Sequence, residues 1–124
     1  MSQIPNSKGK TYDLEERALL FTKRTARYVN KLPKTIPNVE SGKQPMRASG
    51  SVGANYIEAN ECLGKKDFAM KIKTSKKEAK EARYWLAITE PAPEEEKEKE
   101  ALSQEATELM KIFGSILEKT KWAV

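Results

Sequence analysis

An all-α chain, folded as an antiparallel up-down-up-down four-helix bundle, is the architecture this sequence predicts. Three observations carry the expectation. Apolar residues recur at steps of three and four in four separate stretches. Proline or glycine closes the first three of those stretches. No stretch of useful length alternates apolar and polar residues as a strand would. The 124 residues have the size of one domain, expected to run from 1 to 124.

The first helix is expected over about 13–32. Leu14, Ala18, Phe21, Thr25, Tyr28 and Leu32 form its apolar stripe, Asp13 and Glu16 mark its start, and Pro33 stops it. PKTIPNVESGK then reads as a loop with a second proline, Pro37. The second helix is expected over about 43–63, with Ala48, Val52, Asn55, Ala59 and Cys62 as its seam. Ser41 and Gln44 have capping-box spacing, Pro45 belongs in a first turn, and Gly64 ends the helix. Between Ala48 and Ala54 the side chains are nearly all small. Glycine costs roughly 1 kcal/mol against alanine inside a helix. Gly50 and Gly53 therefore point to another backbone coming close.

LGKKD is too short to be anything but a turn between antiparallel neighbours. The third helix, about 66–89, carries Phe68, Ile72, Ser75, Ala79, Ala82 and Leu86, and ends before Pro91. After EPAP the fourth, about 94–121, carries Leu102, Ala106, Leu109, Phe113 and Ile116. Glu94 to Glu100 is apolar-poor and expected to project past the core or fray. Trp85 and Trp122 exceed what one small bundle buries, which suits a second surface facing other subunits.

Composition narrows the function. Charged residues make up 33% of the chain, net charge is +5 and mean hydropathy is −0.73. No apolar run approaches the roughly 20 residues that span a bilayer, and MSQIPNSKGK lacks a signal-peptide core, so a cytoplasmic protein without a membrane partner is expected. The single cysteine, Cys62, excludes an internal disulfide and reads as a small buried side chain. Residues 1–40 and 65–90 each carry an excess of +4, whereas 91–124 carry −3. The basic excess thus falls on the first and third helices.

The run Gln44-x-x-Arg47-Ala48-Ser49-x-Ser51-Val52-x-x-Asn55-x-x-Glu58-Ala59, then Lys65-Lys66-Asp67-Phe68, then Ser75-x-x-Glu78-x-x-Glu81-x-x-Tyr84-Trp85-Leu86, carries a family resemblance. It resembles the bacterial four-helix-bundle proteins encoded in intervening sequences of 23S rRNA genes, over about Tyr12 to Leu117. That family is similar in fold to the accessory variability proteins of diversity-generating retroelements, barrel-like homopentamers that bind nucleic acid and a reverse transcriptase. The resemblance implies a homopentameric four-helix bundle, with nucleic acid or a protein such as a reverse transcriptase as partner. It brings no settled activity with it. Gly50, Gly53 and Pro45 depart from the usual pattern.

Catalysis is not expected. The chain has no histidine, which removes the Ser-His-Asp, Cys-His and most zinc arrangements. Cys62 has no base near it in sequence, and SGSVGAN lacks the lysine of a phosphate-cradling loop. Glu58 with Glu61, and Glu78 with Glu81, pair carboxylates on adjacent helices, but Arg47, Lys71, Lys77 and Lys80 are placed to neutralise them. No metal or cofactor is expected. Asn55 and Glu58 are expected to hydrogen-bond across a helix pair in a structural network with Arg47, Ser75, Glu78 and Glu81.

The nucleic-acid candidates are Lys23, Arg24, Arg27 and Lys31 on the first helix, and Lys73, Lys76, Lys77, Lys80 and Arg83 on the third. Their spacing sets Lys73, Lys76, Lys77 and Lys80 along one exposed face. No aromatic residue interleaves them, so backbone binding rather than base reading is the expected mode. The same charges also fit an ordinary solvated helix face, or an oligomeric scaffold whose partner is another protein.

Overall fold

The computed structural model describes residues 10–122, with side chains described from 14 to 120. Four helices make up nearly all of it: α1 (Lys10–Asn30), α2 (Ile36–Asn60), α3 (Lys65–Ile88) and α4 (Glu96–Trp122). A single 3-10 turn, Pro93–Glu95, leads into α4. No strand occurs among the described residues. α1 packs on α2, α2 on α3 and α3 on α4, while α4 closes back less intimately onto α1. The result is the expected antiparallel four-helix bundle. Asp13 and Trp122 have side chains outside the described residues, so the first-helix start signal and one of the two tryptophans fall there as well.

Three helices bury the stripes their spacing predicts. α1 ends at Asn30 rather than at 32, and its five stripe residues are buried, as is Leu32 in the turn beyond it. So are Ile72, Ser75, Ala79, Ala82 and Leu86 of α3, and Leu102, Ala106, Leu109 and Phe113 of α4. Phe68 and Ile116 pack half-buried against the ends of this core. Each large apolar side chain removed from water contributes about 1.5–3 kcal/mol.

α2 differs from expectation in four respects. It starts at Ile36 rather than near residue 43, because Thr35 caps it by accepting from the Asn38 N–H at 3.2 Å. The expected loop is therefore the first two turns of the helix, with Pro37 at a position where no N–H is needed. Pro45 then lies inside the helix and is buried, so the Ser41–Gln44 pair caps nothing. Third, the seam runs Ser41, Pro45, Ala48, Val52, Tyr56 and Ala59, with Tyr56 in place of Asn55. The Tyr56 ring tilts against Phe113 with centroids 5.8 Å apart. Finally, α2 ends at Asn60, and Gly64 serves as N-cap of α3 at an ordinary negative φ. Cys62 is half-buried in that turn, its thiol donating to the Glu58 carbonyl at 3.4 Å.

The small residues of α2 admit its neighbours closely. A Cβ on Gly53 would sit 3.3 Å from the Ala18 Cβ of α1, and one on Gly42 would sit 3.1 Å from Val29 Cγ1. Thr22 of α1 donates its hydroxyl to the Ser49 carbonyl at 2.9 Å. Ser75 of α3 donates to the Val52 carbonyl, also at 2.9 Å. A side chain as short as serine reaches a neighbouring helix backbone only when the two helices nearly touch.

One end of the bundle is clasped by side chains. Asn38 donates through Nδ2 to the Pro33 carbonyl at 3.0 Å and the Glu90 carbonyl at 2.9 Å, and its Oδ1 accepts from the Glu90 N–H at 2.9 Å. It thereby ties the α1–α2 loop to the α3–α4 loop. Buried Tyr28 and Thr89 share a 2.7 Å hydrogen bond beside it. Lys99 donates to the carbonyls of Ala87 and Thr89, meeting the negative end of α3 with a cation. The acidic entry to α4 does not project or fray. Glu98 receives Arg24 in a two-pronged pair at 2.9 and 3.0 Å, and Glu95 receives Lys31 at 3.5 Å. One further pair, Arg17 with Glu105 at 2.6 and 2.9 Å, continues this α1–α4 row.

Three outcomes are expected. Asn38→Ala leaves the backbone groups of Glu90 and Pro33 without their partner, and chemical denaturation should show a loss of about 2–4 kcal/mol. Gly53→Val wedges α1 away from α2 and should cost about 1–3 kcal/mol in the same assay. Burial pushes the Tyr28 phenol above its ordinary 10.0, with the Thr89 hydrogen bond opposing. The unfolded phenol ionises first, so Tyr28's contribution is intact below pH 10.0 and lost as pH rises through the folded value. Tyr28→Phe should flatten that alkaline fall in a melting-temperature series.

Candidate nucleic-acid interface

The outward face of α3 presents a row of lysines. Lys73, Lys77 and Lys80 are exposed, as is Lys66 two turns before Lys73. Among the described residues, none of the four has a carboxylate partner within ion-pair distance. Steps of seven, four and three keep them on one side of the helix. Lys66 and Lys73 also border a shallow recess floored by Ala69, Met70 and Leu117, with Glu118 on its rim.

Two basic residues of α3 do not join this row. Lys76 is half-buried and lies across α4, its Nζ 3.5 Å from where a Cβ on Gly114 would stand. Arg83 turns toward α4 and donates through Nη1 to the Thr107 hydroxyl at 3.0 Å. The expectation of one face holding Lys73, Lys76, Lys77 and Lys80 is corrected at Lys76, which sits on the flank next to α4.

α1 divides in the same way. Lys23 and Arg27 are exposed, beside Leu19 and Leu20, which remain 53% and 50% exposed. Arg24 pairs with Glu98 of α4, and Lys31, just past the end of α1, with Glu95 in the turn before α4. The hydrogen bond to Glu98 raises the Arg24 guanidinium pKa, against the opposing effect of burial. These two cations serve the bundle's cohesion, and nothing in the sequence near them announces it, since their partners lie 74 and 64 residues away.

Of the polar residues expected in one network, Arg47, Glu78 and Glu81 come together, whereas Asn55, Glu58 and Ser75 occupy separate places. Arg47 of α2 reaches across to Glu78 at 3.4 Å and Glu81 at 3.2 Å on α3. Glu78 is only 9% exposed, so this guanidinium is what balances a nearly buried carboxylate. Glu58 is on the surface and pairs with Lys71 at 2.6 Å, which raises the lysine's pKa. Ser75 bonds the Val52 carbonyl. Asn55 turns back on its own helix, donating to the Ser51 carbonyl at 2.8 Å, and does not bridge helices. Residue 55 lies one position off the seam that Tyr56 occupies. Among the described residues no three histidine, cysteine, aspartate or glutamate side chains converge. No described helix is long and apolar enough to cross a membrane.

One aromatic residue of the family pattern stands on the surface rather than in the core. Tyr84 lies four and seven positions after Lys80 and Lys77, hence on the same face, and is 62% exposed. The half-buried Trp85 ring meets it edge-on, with centroids 5.2 Å apart and planes at 81°.

No curated protein matches the chain. A solved structure from Bacteroides thetaiotaomicron, a protein of unknown function from the S23 ribosomal protein family, superimposes with a TM-score of 0.71 at 26% identity. The match covers 86% of this chain and 96% of that one. The family model of the 23S rRNA-intervening sequence protein matches residues 10–115, from the start of α1 to the last third of α4. The expected resemblance holds across the whole bundle, and the chain belongs to the 23S rRNA-intervening sequence protein family.

Proposed function

We propose that this protein is a non-enzymatic, oligomeric bundle that binds a nucleic-acid backbone, RNA or DNA, along the outward face of α3. One observation carries the reading. The cations of Lys66, Lys73, Lys77 and Lys80 are exposed on a common face without carboxylate partners among the described residues, whereas Arg24 and Lys31 pair with Glu98 and Glu95. A fold that pairs Arg24 and Lys31 with Glu98 and Glu95 and leaves a row of ammonium groups outside has kept charge where a polyanion can release its counterions. Lysine is a point charge with little geometric preference, which suits phosphate contact rather than base reading.

Self-association is the second part of the proposal. Leu19 and Leu20 sit exposed on the outer face of α1, apolar area that a partner copy would cover. The resemblance to barrel-like homopentamers favours five copies, which would repeat the α3 row and raise its avidity. An oligomeric scaffold that holds another protein, such as a reverse transcriptase, draws on the same exposed leucines and is the alternative.

Fluorescence anisotropy with a structured RNA, from about 50 to about 300 mM salt, tests the reading. Binding should weaken steeply as salt rises. The triple variant Lys73→Gln, Lys77→Gln, Lys80→Gln should lower the logarithmic salt slope by about two to three. Absence of binding at low salt rejects nucleic acid as the ligand. Light scattering on the same sample should give about 70 kDa, five copies of a 14.0 kDa chain.

A further inference from the structure

We propose that Tyr84 is a stacking platform for an unpaired base, and that it makes the α3 face prefer single-stranded over duplex nucleic acid. The inference rests on the lysine-row reading and adds what that row alone cannot supply, a means of telling strands apart. Phosphates are common to both forms, so Lys73, Lys77 and Lys80 attract them equally. Bases inside a duplex are stacked on each other and present no free face to a side chain, while those of a single strand do.

Three features of Tyr84 suit that role. Tyr84 is 62% exposed near the end of α3, four residues before Ile88. The ring is already braced by Trp85 in an edge-to-face pair, so holding it in place for a ligand costs little further entropy. Finally, it continues the lysine row. Along α3 it lies about 10 Å beyond Lys77, at 1.5 Å per residue, which is about three nucleotides at the stacked spacing of a strand. A strand whose phosphates lie on Lys73, Lys77 and Lys80 therefore brings a base to the Tyr84 ring. Charge complementarity commits the face to a polyanion, and the aromatic at its end commits that polyanion to one with accessible bases.

The test uses the full chain, an unstructured 12-nucleotide RNA and a duplex of the same length, measured by anisotropy at low salt. Tyr84→Ala should weaken single-strand binding about tenfold and change duplex binding less than twofold, with Tyr84→Phe close to the parent on both. Replacing the bases of the single strand by abasic units should erase the difference between parent and Tyr84→Ala. Equal losses on both ligands, or a loss on neither, overturn the stacking role. So does a change of molecular mass in Tyr84→Ala, which would assign the ring to a contact between copies. If the parent binds neither RNA, the lysine-row reading falls and takes this inference with it. If the parent binds both with the lysine-dependent salt slope and Tyr84→Ala matches it, only the stacking platform falls.

Discussion

Everything in this bundle depends on how closely α1 and α3 can lie against the backbone of α2. Ala18 meets Gly53 so closely that a Cβ there would be 3.3 Å from its own, and the Thr22 and Ser75 hydroxyls, from α1 and α3, reach α2 carbonyls. Both carbonyls belong to a helix interior, where they already accept backbone hydrogen bonds, so each hydroxyl occupies a second lone pair. Such bonds are individually worth about 1 kcal/mol, but they also set the depth at which the helices seat. Once α1 is drawn to α2, its other flank stands further from α4. Long side chains fill that wider seam: Arg17, Arg24 and Lys31 from one side, Glu105, Glu98 and Glu95 from the other.

This division explains what could be read in advance. Stripes of large apolar residues are legible because the hydrophobic effect leaves them few alternatives, and α1, α3 and α4 bury theirs where spacing puts them. The first half of the α2 seam is made of Ser41, Pro45 and Ala48, small or polar residues on which periodicity gives little signal, whereas Val52 and Ala59 further on are legible. Tyr56, one residue from the expected Asn55, takes the seam position. The start of α2 was hidden by two prolines that elsewhere stop helices. Pro37 is harmless in a first turn, and Pro45 gives up one backbone bond inside a helix already held on both sides. Asn38, which closes one end of the molecule, finds its partners at Pro33 and Glu90, and only folding brings residue 90 near.

The candidate interface was half legible for the same reason. Counting charges by helix identifies α1 and α3 correctly as basic. It cannot separate Lys77, which points away from the bundle, from Lys76, one residue earlier, which lies over Gly114. Nor can it foresee that an acidic stretch apparently free at the head of α4 neutralises Arg24 and Lys31. Position on the helix wheel, together with the contents of the neighbouring helix, decides which cations remain available. The family relationship and the solved relative extend the architecture across nearly the full chain.

The two ends of the bundle are unequally fastened. Around Asn38, two loops, a buried tyrosine and the terminus of α3 are laced into one unit. At the opposite end α2 and α3 are joined by four residues, with Leu63 standing fully in solvent and no side-chain cap on Gly64. Amide protons should exchange in that same order, early near the Leu63 turn and late around Glu90, so that the molecule opens like a pair of tongs from its unlaced tip.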